Sequence, residues 1–272
     1  FNDKSVIKFG RREVSVYANR LSLMWQSMRK DIIANFPAPE PITKAVNVPL
    51  YLTQLEDKFV SDAYHSLSIE GYNVSLELIE HVRDGNWSPQ QSNASKQHLD
   101  AMAAKGYWDA FVKVKISVEQ VLKGSNAGEV LEQDHLDWYL ALFGPSVVAG
   151  FVKQTDLAGY RTGPVFIRQS KHTPPSKEAL RDMMPTFFDL LMQEDNAVVR
   201  IVLGHFLFVY IHPYFDGNGR LGRFIMNVMM ASAGYPWTVI PVQRRLEYMQ
   251  ALESASVDGD IVPFTRFIVS LL

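Results

Sequence analysis

Apolar residues recur along most of this chain at helical and not at alternating spacing, so the pattern predicts a helical protein with little strand. Val14 to Phe36 reads as an amphipathic helix with Leu21, Met24, Trp25 and Met28 on one side, closed by a linker at Pro37, Pro39 and Pro41. A second helix spans about Leu50 to Glu70 and stops at Gly71, the residue type that best tolerates the left-handed position after a helix. Val74 to Arg83 is a shorter one, ended by Asp84-Gly85-Asn86. After a polar stretch, Ser88 to Ser95, the positions Leu99, Met102, Tyr107, Phe111, Val114, Val118 and Val121 mark a long helix or a pair broken at Gly106. Glu129 to Phe143 is another, and Ser176 and Asn196 are placed to cap helices running to Gln193 and from Ala197 to Ile211.

Two segments break the pattern. Gly159 to Ser170, with Tyr160, Val165, Phe166 and Ile167 around a Gly163-Pro164 turn, reads as an isolated hairpin that must lie on the helical body, either as a surface loop or as a peptide-binding flap. The helix Ala197 to Ile211 is apolar nearly all round, which places it in the middle of a bundle.

Composition narrows the function classes. The 272 residues carry 27 Lys+Arg against 29 Asp+Glu, a net charge of −2, which argues against direct nucleic-acid binding and against a membrane-surface binder. At 47% hydrophobic and 21% charged, the chain is an ordinary globular protein able to bury roughly three quarters of its unfolded surface. Zero cysteines exclude a disulfide framework, a Cys nucleophile and Cys-ligated metal. With no signal-peptide pattern and no apolar stretch of membrane-spanning length, the expectation is a cytoplasmic protein. His65, His81, His98 and His135 lack metal-ligand spacing, and His205 fits a satisfied core histidine.

Polar chemistry is concentrated after the apolar helix, in His212-Pro213-Tyr214-Phe215-Asp216-Gly217-Asn218-Gly219-Arg220-Leu221-Gly222-Arg223, ahead of an apolar helix Phe224 to Ala233. Gly217, Asn218 and Gly219 accept positive φ, so their N–H groups are expected to converge as an anion-binding nest at the positive end of the next helix. Arg220 and Arg223, three apart, share a face and add two cations with fork geometry suited to phosphate. Asp216 supplies a hard oxygen of the kind Mg²⁺ prefers, and His212 is the side chain there able to take a proton near neutral pH. A Walker A pattern is absent.

This segment resembles the signature of the Fic domain family, His-x-Phe-x-(Asp/Glu)-Gly-Asn-Gly-Arg-x-x-Arg, departing from it only where Tyr214 stands for Phe. The hairpin and His172-x-Pro174-Pro175 resemble the family's target-docking flap, and Arg244 to Phe267 its closing helices, so the resemblance covers roughly residues 159–267. It implies an all-α helical bundle, with an N-terminal helical region at 1–130, a catalytic core at 131–272 and the flap at 159–170. It further implies transfer of AMP from ATP to a Ser, Thr or Tyr hydroxyl of a target protein. In that scheme His212 is the general base, Asp216 holds Mg²⁺, Gly217, Asn218 and Gly219 form the anion hole, and Arg220 and Arg223 hold the distal phosphates. Homodimers are common in the family.

Ser66-Leu67-Ser68-Ile69-Glu70-Gly71 resembles the family's inhibitory motif, (Ser/Thr)-x-x-x-Glu-(Gly/Asn), on a helix at about 50–71. The resemblance implies that Glu70 pairs with Arg223 and blocks productive ATP binding. Removal of AMP, transfer of UMP, GMP, phosphocholine or phosphate, and a nucleotide-sensing regulatory module are the competing readings.

Overall fold

The computed structural model describes residues 15–37, 47–88 and 96–272. Val14, Pro39, Pro41 and most of the Ser88 to Ser95 stretch lie outside them. The described residues form α1 (Val16–Asn35), α2 (Val48–Glu70), α3 (Leu76–Arg83), α4 (Lys96–Leu122), α5 (Ala127–Val148), α6 (Lys177–Gln193), α7 (Ala197–Ile211), α8 (Asn218–Ser232), α9 (Arg245–Glu253) and α10 (Val262–Val269). The fold is all-α.

The apolar helix α7 is the centre. Val199, Val202, Leu203, Phe206 and Phe208 are all buried, and α8 packs along it while α1 and α6 close other sides. On the far side of α8, α4 and α5 pair, and α2 and α3 lie on α4. One apolar core runs through Phe59 of α2, Phe111 of α4, Trp138 of α5, Phe206 of α7 and Phe224 of α8, so the segments before and after residue 130 share their interior. The first helix is latched across the bundle: Trp25 Nε1 and Arg29 Nε donate to Glu194 at 3.0 and 2.9 Å.

Helix ends follow side-chain chemistry. Asn47, Ser75, Asn126 and Asn196 accept first-turn N–H groups of α2, α3, α5 and α7. Gly71, at φ 94°, closes α2 with its N–H on Leu67 and Ser68 carbonyls.

Several expected boundaries move. No break occurs at Gly106, and α4 is continuous. Asn126 starts α5 earlier than expected, and Pro145 lies inside it without stopping it. The helix α8 begins at Asn218, six residues before the expected Phe224, so half of the polar segment is helical.

The expected hairpin at 159–170 is absent: among the described residues the chain has no strand. The reason lies in its first arm. Arg161 N donates to Pro213 O at 2.9 Å and the Arg161 side chain is buried, so the first arm is tied at Arg161 to the α7–α8 loop instead of to the second arm. What remains is one extended run in which half-buried Val165 and Ile167 alternate with Phe166, which is 82% exposed.

Candidate functional site

The loop between α7 and α8 is fixed from both ends. His212 ends α7 in the left-handed region, φ 52° and ψ 60°, with its N–H on Phe208 O. That conformation costs a non-glycine residue roughly 1–2 kcal/mol and needs support from its surroundings. Asn218 staples the other end, its Oδ1 accepting from Tyr214 N at 3.0 Å and its Nδ2 donating to Tyr214 O at 2.8 Å. The Tyr214 ring is fully buried and stacks on Tyr139 with centroids 3.8 Å apart, and its hydroxyl has no partner among the described residues. Burial accordingly pushes the Tyr214 phenol well above its ordinary pKa.

The expected nest of three residues at positive φ is corrected. Gly217 alone adopts it, at 84°, while Asn218 and Gly219 form the first turn of α8. The first bond of this helix runs from Leu221 N to Gly217 O, so the N–H groups of Asn218, Gly219 and Arg220 have no partner among the described residues. The place expected to take an anion is therefore a helix N-terminus, to which Asn218 contributes its backbone while its side chain holds the loop.

Both signature arginines are buried beside it. Arg223 donates from Nε to Ser66 Oγ at 2.8 Å and from Nη2 to Ser66 O at 3.1 Å and Glu70 Oε1 at 2.7 Å; Nη1 is buried without a partner. Burial lowers the Arg223 pKa, but the Glu70 carboxylate together with Tyr248 and Tyr107 outweighs it and the net shift is upward. Arg220 lies 5.4 Å from the Tyr72 ring centroid and 5.1 Å from that of Phe143, and its Nη2 reaches Asp216 Oδ2 at 3.2 Å. A cation between two aromatic faces is held with its charge intact, and Arg220 Nε is also buried without a partner. Asp216 is largely exposed, its Oδ1 accepting from Gly217 N at 2.6 Å.

The expected pairing of Glu70 with Arg223 is present, and Ser66, for which no such contact was expected, accepts two further bonds from the same guanidinium. The Glu70 carboxylate lies over the start of α8: a Cβ built on Gly219 would collide with Glu70 Oε1 and stand 3.3 Å from Arg223 Nη1. A carboxylate already occupies the place where the helix end and Arg223 would take an anion.

His212 has its Nδ1 3.2 Å from Val209 O. A carbonyl only accepts, so Nδ1 carries the hydrogen and Nε2 keeps a free lone pair. Burial, with the Arg161 charge adding to it, lowers the His212 pKa to about 4, so the ring is neutral at physiological pH. His205 is core, fully buried with Nε2 2.8 Å from Tyr248 Oη, but it is not the fully satisfied histidine expected, since its Nδ1 is buried without a hydrogen-bond partner among the described residues. Among the described residues no group of three His, Asp or Glu side chains could hold a metal, and Asp216 stands as a single carboxylate.

Of the flap residues, Val165, Phe166 and Ile167 lie on the extended run, and their N–H groups have no backbone partner among the described residues. Tyr160 points inward, its hydroxyl 3.3 Å from His135 Nε2 and its ring 5.6 Å from Tyr214. Residues that sequence reasoning missed are Arg161, Tyr72 and Phe143. A signal existed for Tyr72, which follows Gly71 and so lies at the end of α2. Arg161 and Phe143 carried none, since the site residues they meet, His212 and Arg220, are 51 and 77 residues away.

A helix end with unpartnered N–H groups, two buried guanidinium groups and a neutral histidine with an open nitrogen meet at one place in this helical fold. Residues 137–230 match the model of the Fic/DOC family, and the chain is a Fic-domain protein. Over 218 residues it is 28% identical to Protein adenylyltransferase Fic of Nematostella vectensis, covering 79% of this chain and 47% of that protein. The same-named protein of Drosophila willistoni is 30% identical over 217 residues, 78% of this chain and 40% of that protein. The chain spans less than half the length of these curated relatives. Fic-1 from C. elegans, residues 134–508, superposes with a TM-score of 0.64 at 19% identity, covering 93% of this chain and 70% of that one. No described helix is long and apolar enough to cross a membrane.

Proposed function

We propose that this chain transfers AMP from ATP to a Ser, Thr or Tyr hydroxyl of a target protein, and that α2 holds the site shut. The observation that carries the reading is the Glu70 carboxylate on Arg223 over the first turn of α8, an internal anion in a place built for phosphate. Once Glu70 withdraws, Arg223 and the N–H groups of Asn218, Gly219 and Arg220 become available to a triphosphate, with Arg220 beside them. The unpartnered Nη1 of Arg223 and Nε of Arg220 fit such an occupant. Asp216 offers one exposed oxygen to Mg²⁺, which would neutralise phosphate charge when bound.

In the reaction His212 Nε2 takes the proton as the target oxygen bonds to the α-phosphorus, the bond to the β-phosphate oxygen breaks, and pyrophosphate leaves. Positioning and electrostatics supply the rate enhancement. The low pKa keeps His212 in its accepting form. The extended run 165–167 can align a target backbone by strand addition, which reads main chain more than side chain. In this scheme residues 1–130 are regulatory and 131–272 catalytic.

The test is intact mass after incubation with Mg²⁺ and ATP, alone and with cell lysate, for Glu70→Gly and for Glu70→Gly with His212→Ala. The expected result is covalent AMP on the Glu70→Gly protein or on lysate proteins, falling by about 10²–10⁴ in rate when His212 is removed. No adenylate in either setting, or equal labelling by the double variant, overturns the reading.

A further inference from the structure

Arg161 is only 3% exposed, yet no carboxylate pairs with it among the described residues. Burying a guanidinium is costly unless its donors are all met. Here four of its five N–H groups are met, by carbonyls alone: Nε donates to His212 O at 2.8 Å, Nη1 to Gly163 O at 3.0 Å, and Nη2 to Pro175 O and, at 3.4 Å, to Ile211 O. Its backbone N–H adds a bond to Pro213 O at 2.9 Å. One side chain thus joins the loop carrying His212, the turn that starts the extended run and the approach to α6.

The geometry points to Arg161 as a positioning residue that holds His212 in its left-handed conformation and fixes it relative to the extended run. This rests on the proposed transfer reaction. The left-handed turn at His212 presents its carbonyl to the Arg161 fork, and among the described residues no other donor reaches His212 O; the bond to Pro213 O comes from the Arg161 main chain. The fork also spans the gap between base and docking segment, so a target aligned on 165–167 meets His212 at a fixed offset. A single ammonium cannot span three carbonyl directions. The charge has a second consequence. The groups whose charge His212 feels are Arg161, Glu70 from α2 and His172, and Arg161 is the largest of these in effect. It opposes protonation of the ring.

Two readouts test this, one without catalysis. In Glu70→Gly protein, the His212 ring is titrated by NMR with Arg161, Arg161→Met and Arg161→Lys. Arg161→Met is expected to raise the His212 midpoint by about half a unit or more, and Arg161→Lys to leave it near the parent. Both are expected to lower kcat for adenylyl transfer about tenfold or more while Mg²⁺-ATP affinity changes less than about twofold. An unmoved midpoint in Arg161→Met, or parental kcat in Arg161→Lys, overturns the proposal. If Arg161→Met does not fold, Arg161→Lys carries the test through kcat against ATP affinity. If the Glu70→Gly parent itself transfers nothing, the transfer reading fails and the NMR titration still decides the role of Arg161.

Discussion

The face of α2 that meets α8 and the extended run at 165–167 lie on the same domain and are built in opposite ways. On the first, Ser66 and Glu70 give Arg223 three hydrogen bonds, Tyr72 covers Arg220, and Arg245 Nε grips Ile69 O at 2.8 Å. On the second, backbone N–H groups have no backbone partner among the described residues and Phe166 stands in solvent. In the proposed scheme the nucleotide side is closed by the chain's own groups and the target side is open, so the protein would meet its target before it could use ATP, with control resting on α2.

The comparison breaks first at Asp62, beneath the closed face. Tyr107 Oη donates to Asp62 Oδ2 at 2.7 Å, and burial raises the carboxyl pKa to about 6. A folded-state pKa above the unfolded value means stability that is present at low pH and lost as pH rises through about 6. Asp62→Asn keeps an acceptor for Tyr107 and removes that loss. It is expected to stabilise by up to about 3 kcal/mol at pH 7.5 and by little at pH 4, read by urea denaturation at both. A gain of equal size at the two pH values would show that the carboxylate is not the cause.

On the open face, Phe166→Pro removes one N–H from the run while leaving the nucleotide site untouched. Transfer to a protein target by Glu70→Gly protein is expected to fall about tenfold in kcat/KM, with ATP affinity unchanged. Unaltered kcat/KM would place target docking elsewhere. The smallest effect is expected at Tyr214, between the two faces. Its buried hydroxyl has no partner among the described residues, so Tyr214→Phe should stabilise by about 1 kcal/mol without changing transfer. A loss of stability would reveal a partner for that hydroxyl.

The sequence reads well where chemistry is local. Helical periodicity placed α2, α6 and α7, and the caps Asn196 and Gly71 stand where their residue types predict. Ser66 and Glu70 came from a motif whose spacing is one helical turn, and Arg223 donates to both. Legibility failed where a distant partner decides. The hairpin pattern at 159–170 was sound as a strand signal, but Arg161 takes its first arm to Pro213 and leaves the second alone. Gly217-Asn218-Gly219 read as a left-handed nest because each residue type tolerates positive φ. Tyr214, however, engages the Asn218 side chain through both main-chain groups, and the helix starts there instead.

The central claim is that Glu70 closes the nucleotide site, and the most direct measurement is the initial rate of adenylyl transfer at saturating Mg²⁺-ATP for wild type beside Glu70→Gly. The account predicts a rate at least about tenfold higher for Glu70→Gly, which corresponds to about 1.4 kcal/mol of inhibition released. Equal rates for the two proteins would contradict it.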